Sequence, residues 1–227
     1  DLRLGDGVQI ATPIVLNMSP DATDFRYAQM YWNRAGSPPV ITENASVVGR
    51  GRIYYELTND GLFEATGPDG HLEFLEARVT QGATGVVRSV DSGLIALTGG
   101  TLVTGGLWDG TQTGRIFANG NSAIADATMT GTWGVGPASI LQLNGEISGG
   151  GTIVVNADQA PAFTDLRLGD GVQIATPIVL NMAPDATDFR YAQMYWNREG
   201  DVPTLTESGT SSRKGRSYNE LNLHGTL

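Results

Sequence analysis

Leu166-Arg-Leu-Gly-Asp-Gly-Val-Gln-Ile174 carries the reading of this chain. Leu166, Leu168, Val172 and Ile174 fall on one side and Arg167 and Gln173 on the other, the period-two pattern of strands with one buried face. Between them stands Gly169-Asp170-Gly171, suited to a corner that needs positive φ. The motif is strand, glycine corner, strand. Working back, the layout recurs in Ile140-Leu-Gln-Leu-Asn-Gly-Glu-Ile147, in Arg115-Ile-Phe-Ala-Asn-Gly-Asn-Ser-Ala-Ile-Ala125 and in Leu94-Ile-Ala-Leu-Thr-Gly-Gly-Thr-Leu-Val103, with starts 21 to 26 residues apart. One turn of a parallel β-helix uses about twenty or more residues to bring the chain back one strand spacing, roughly 4.8 Å, further along the axis. The spacing therefore predicts an all-β chain folded as a parallel β-helix, or β-solenoid.

The same stretch belongs to an internal repeat. Asp1 to Gly36 recurs as Asp165 to Gly200 with only Ser19/Ala183 and Ala35/Glu199 differing, a period of 164 residues. The copies stay alignable beyond that point, more loosely, through Pro39/Pro203, Gly51/Gly215, Tyr54/Tyr218 and Gly61/Gly225. Drift after Gly36 fits natural repeats better than an engineered duplication. The chain reads as a window on a tandem array, one full repeat and the start of the next, and arrays of this kind point to scaffolds and filaments before enzymes. The expected organisation is a coil at 1–20, a less regular β-rich insertion or small β domain at 21–92, β-helix coils at 93–164, and the start of the second repeat at 165–227.

Within 21–92 the signals conflict. Ser19-Pro20-Asp21 would open a helix stopped by Gly36. The same segment alternates, with Arg26, Ala28, Met30 and Trp32 against Phe25, Tyr27, Gln29 and Tyr31, and its aromatic content favours a strand. Asn59-Asp60-Gly61 and Pro68-Asp69-Gly70 read as hairpin-type turns. Leu72, Leu75, Glu76 and Val79 leave a short helix open, and wider coils of the same solenoid remain an alternative for the whole region.

The stretches Leu97-Thr-Gly-Gly-Thr-Leu-Val-Thr-Gly-Gly106, Asp126-Ala-Thr-Met-Thr-Gly-Thr-Trp133 and Leu141-Gln-Leu-Asn-Gly-Glu-Ile-Ser-Gly-Gly-Gly-Thr-Ile-Val-Val-Asn156 resemble the right-handed parallel β-helix repeat proteins of bacterial surfaces, the autotransporter passengers and filamentous-haemagglutinin-like adhesins. The resemblance is one of texture over residues 93–182 and implies a surface or extracellular rod.

Composition narrows the partners. The formal charge is -10 with a single lysine, Lys214, and the densest basic run is Arg213, Lys214 and Arg216, so no nucleic-acid partner is expected. There is no cysteine, which removes disulfides and thiolate metal sites. No stretch approaches the roughly 18 apolar residues of a membrane helix.

No nucleophile, phosphate-loop or zinc motif occurs, and the chain is not expected to be an enzyme. A polysaccharide-cleaving solenoid would need carboxylates stacked in successive coils, and Asp109, Asp126, Glu146 and Asp170 do not share one coil position. No cofactor is expected. Calcium is the one ion with candidate ligands, at Gly5-Asp6-Gly7, Asn59-Asp60-Gly61 and Pro68-Asp69-Gly70, but Asp-Gly is first a turn signal and the calcium-solenoid nonapeptide is missing. Thr128, Thr130 and Thr132 would project to one side, as in ice-binding solenoids, though one coil is not an array. Asn17-Met-Ser19 and Asn44-Ala-Ser46 match the glycosylation sequon.

The aromatic block Tyr27, Tyr31 and Trp32, repeated as Tyr191, Tyr195 and Trp196, is the candidate contact surface, either for stacking on glycans or for packing against the neighbouring repeat, with the second preferred. The expectation is an extracellular or cell-surface structural protein, or a virion fibre, whose main partner is itself. A glycan-binding adhesin or phage tail-fibre segment is the alternative.

Overall fold

A computed structural model describes residues 1–18, 28–32, 36–111, 113–156, 164–181, 192–196, 200–206, 211–212, 216–218 and 222–223. The described residues are all-β with no helix, and every strand pairing between them is parallel. Each rung lies on the rung one turn earlier, so the chain winds as a β-solenoid with three faces. On the first face the inward residues Met30, Ile53, Phe74, Leu97, Ala118, Val135, Val155 and Leu180 stack in register. On the second, Leu57, Val79, Val103, Ile124, Leu143, Leu168 and Trp196 do so. The third begins with Ile14, Val47, Phe63, Val87, Trp108 and Met129.

Alternation explains the strands. Along His71–Gln81 the residues Leu72, Phe74, Ala77, Val79 and Gln81 are buried while His71, Glu73, Arg78 and Thr80 face outward, which is the period-two pattern of a sheet covered on one side. The three inner faces close on one core in which aromatic rings interleave along the axis. Phe63 meets Phe74 at 5.3 Å between ring centroids, Phe74 meets Trp108 at 6.1 Å, and Trp108 meets Trp133 at 5.7 Å, all edge to face. Trp108 also satisfies its indole by donating to the Gly105 carbonyl at 3.1 Å.

Corners are made by left-handed residues, and they are not all glycine. Tyr55, Glu76, Asp91, Ser92, Asp126 and Ala138 have positive φ beside the expected glycines. Gly131 is the left-handed glycine closest to neighbouring backbone: its φ is +71°, and a Cβ there would lie 1.9 Å from the Gly110 carbonyl oxygen of the turn below. Only a residue without a Cβ lets those two turns approach.

The region expected as an insertion continues the same solenoid wherever it is described. Ser46–Asn59 runs across all three faces, pairing with Ile14–Asn17, Gln29–Trp32 and Val40–Ile41 of the preceding turn and with Leu62–Thr66 and His71–Gln81 of the next. Asn59-Asp60-Gly61 and Pro68-Asp69-Gly70 are corners between parallel strands, not hairpins, because each following strand pairs with a previous turn. Leu72 to Val79 is strand rather than helix. In the aromatic segment Met30 and Trp32 point inward and Gln29 and Tyr31 outward, as alternation required; the proposed helix start at 19–27 lies outside the described residues.

Two further features were not expected. Asn59 and Gln81 are fully or almost fully buried and form a polar step inside the column, Asn59 Nδ2 donating to Gln81 Oε1 at 2.5 Å. Asn59 Oδ1 accepts the Gly61 amide at 3.2 Å, so the pair ties a corner to the ladder. Second, the repeat does not close on a whole number of turns. Leu2–Leu4 lies in the first-face column, whereas its copy in Thr164–Leu168 lies on the second, paired with Ile140–Ser148. Gln9–Ile10 is on the second face and its copy Gln173–Ile174 on the third; Ile14–Asn17 is on the third and Ile178–Asn181 on the first. The second copy is set one face further round than the first.

Candidate functional site

The outward surface is held by short ladders between turns. Arg52 Nε donates to Glu73 Oε2 at 2.5 Å, and the Thr98 hydroxyl donates to the other Glu73 oxygen at 2.9 Å. On the third face Arg88 donates through Nε and Nη2 to Glu64, and the Thr130 hydroxyl donates to Asp109 at 2.6 Å. Such half-exposed pairs each contribute on the order of 0.2–1 kcal/mol and chiefly favour one register over a slipped one.

The duplicated aromatic block divides between inside and outside. Trp32 and Trp196 are 4% and 6% exposed and sit in the core columns above Leu4 and Leu168. Their rings pack between successive turns, and Trp32 also borders a surface concavity with Tyr55, Glu56, Glu76 and Arg78. Tyr31 and Tyr195 face outward, half-buried, each beneath an arginine one turn earlier: Arg3 lies 5.5 Å from the Tyr31 centroid and Arg167 lies 5.3 Å from that of Tyr195. With both arginines partly in solvent, pairs of this kind are worth about 0.5–1 kcal/mol. The register extends each pair to a third rung, Arg3, Tyr31, Tyr54 in the first copy and Arg167, Tyr195, Tyr218 in the second. Tyr27 and Tyr191 lie outside the described residues.

Asp165 completes the second copy of this cluster. It is 9% exposed, with Oδ2 3.6 Å from the Arg167 guanidinium and no hydrogen-bond partner on Oδ1. Burial pushes its pKa up, and the neighbouring Arg167 offsets only part of that rise. The same desolvation, together with the Asp165 charge, pushes the Tyr195 hydroxyl up. An acid raised in the folded state holds a proton that the unfolded chain has already released. Stability from this group therefore falls as pH rises from the usual carboxylate value of about 3.9 through the folded value. Asp165→Asn is expected to gain in stability relative to the parent between about pH 4 and pH 7. Thermal melts of both proteins at the two pH values check this; a variant that instead loses ground as pH rises would show that the Arg167 pair outweighs the burial cost.

Asp126 and Glu146 meet at the corner between the second and third faces, where Asp126 Oδ1 accepts the Glu146 amide at 3.1 Å. Asp109 is engaged by Thr130 and by the Thr111 amide, and Asp170 is exposed at its own corner. Among the described residues no three of His, Cys, Asp and Glu group to hold a metal ion. The Asp-Gly turns proposed for calcium act as corners, with Asp6 accepting the Ser37 amide and the Asp60 carbonyl accepting the Thr84 hydroxyl at 2.7 Å. Thr128 and Thr130 do project outward together on the third face, while Thr132 lies beyond the Gly131 corner on the first. Asn17 and Asn44 of the two sequons are exposed.

One surface concavity was invisible in the sequence. It runs along the second face past Thr101, Asn121, Ala123, Ile140 and Gln142 to Arg167. It arises because Ala123 is short while Gln142 and Arg167, next along the same outward row, are long. The register of this row was the missing information: 115 and 140 read as equivalent starts, yet Arg115 stacks on Leu94 of the first face and Ile140 on Asn121 of the second. Comparison of the chain with protein-family models, curated proteins and solved structures gives no match.

Proposed function

We propose that the chain is a structural repeat protein acting outside the cell, a rod segment of a fibre, surface layer or adhesin stalk whose main partner is further copies of its own repeat and which performs no chemical step. The observation that supports this is the join between repeats. Leu143 stacks on Leu168, Ile147 on Ile174 and Val155 on Leu180, so the second copy carries on the hydrogen-bonded columns of the first without a break. Adding repeats adds length, and a closed solenoid leaves free strand edges only at the ends of the rod, which favours longitudinal over lateral joining.

Electron microscopy of the native protein is expected to show rods with an axial period set by the 164-residue unit. Removing residues 165–199 is expected to interrupt them. Dispersed particles in the native sample, or normal fibres after the deletion, would overturn the proposal. A second reading, glycan contact, is favoured by the half-exposed Tyr31 and Tyr195 rings being held under an arginine in the same way in both copies.

A further inference from the structure

We infer that the concavity on the second face is a binding site for a linear, neutral oligosaccharide, built where one repeat joins the next. The inference rests on the glycan reading but moves the contact from the aromatic block to a different set of residues. Thr101, Asn121, Ala123, Ile140 and Gln142 come from the first repeat, whereas Arg167 and its supports Asp165 and Tyr195 come from the second. Neither repeat holds all of them.

Its chemistry selects the ligand. The concavity is open and crosses four successive turns, on the order of 15 Å along the axis, which suits an extended chain rather than a compact molecule. Its lining sets the side-chain amides of Asn121 and Gln142 beside the short apolar surface of Ala123 and Ile140, matching a ligand that carries hydroxyls on its edges and C–H groups on its faces, while the Thr101 hydroxyl is buried and spent on the Phe74 and Thr98 carbonyls. Gln142 is oriented by donating to Asn144 Oδ1 at 3.0 Å, which leaves its carbonyl oxygen to accept from a ligand hydroxyl. Arg167 is the one cation in the lining, and it is held from both sides, by Asp165 at 3.6 Å and by the Tyr195 ring. With its charge balanced in this way, and with a chain of net charge -10 around it, the site has no surplus positive potential for a polyanion. Its remaining donors suit neutral acceptor oxygens.

The test uses the full 227-residue chain with cellohexaose, maltohexaose and chitohexaose as neutral probes and hexagalacturonate as the anionic one, read by calorimetry and saturation-transfer NMR. At least one neutral probe is expected to bind. Ala123→Trp fills the concavity from an outward position that the core does not use, and is expected to weaken binding at least ten-fold with an unchanged melting temperature. Arg167→Ala is expected to weaken it similarly. No binding by any neutral probe, preferential binding of hexagalacturonate, or binding that survives Ala123→Trp overturns the site. Binding that survives Ala123→Trp but is lost in Tyr31→Ala would preserve the glycan reading and place it on the aromatic block instead.

Discussion

Trp108→Ala is expected to lower the stability of this protein by about 3–5 kcal/mol, at the top of the range for a core truncation. Trp108 has no exposed surface, stands between Phe74 and Trp133 in the aromatic column, and binds the Gly105 carbonyl at the neighbouring corner. Truncation removes the transfer energy of an indole, opens a cavity that parallel ladders above and below hold open, and strips a corner carbonyl of its donor. The edge-to-face contacts add about 0.5–1.5 kcal/mol per pair beyond burial. Chemical denaturation followed by tryptophan fluorescence and far-ultraviolet dichroism checks the loss. A cost below about 1 kcal/mol would mean that the column collapses onto the gap, contrary to the close packing of interiors.

Gly131→Val is expected to be nearly as damaging, by a different route. The left-handed backbone at Gly131 costs an L-residue about 1–3 kcal/mol by itself, more with a branched Cβ. The added Cβ would also meet the Gly110 carbonyl oxygen at 1.9 Å, a backbone atom with no freedom to swing aside. The turns carrying 107–110 and 128–131 must then separate, and their pairing weakens with them. The same substitution at Gly150, where a Cβ meets nothing within 4 Å, is expected to be far milder. Melting temperatures of the two variants side by side separate the combined contact and left-handed strain at Gly131 from a general intolerance of valine at corners.

The solenoid itself was legible because its signal is local. Leu166 to Ile174 alternates, the glycines between its strands suit left-handed corners, and the inward set Leu166, Leu168, Val172 and Ile174 is the buried set. What escaped was nonlocal. Asn59-Asp60-Gly61 has the same turn chemistry whether the next strand folds back beside the last one or runs on to the next face, and only the pairing of Ser46 with Leu62 distinguishes them. The region before residue 92 also hid its corners, since Tyr55 and Glu76 occupy left-handed positions that a reader of glycines passes over. The two tryptophans of the repeated block sit at inward positions of a pattern that alternation had already drawn, so their burial was available to a stricter reading. The Asn59–Gln81 step was available only in part. Their separation of 22 residues is one turn, but nothing local marks an amide as inward.

The one-face offset between repeats gives an array the geometry of a screw thread. A side chain that faces north in one repeat faces a third of a circle away in the next, and returns to its first azimuth only after three repeats, on the order of 100 Å along the rod at about 4.8 Å per turn. A flat partner lying along one side therefore meets any given feature once in three repeats, while the rod as a whole offers it to every side in equal measure. In such an array any one feature is sparse along a line but is offered at three azimuths around the circumference.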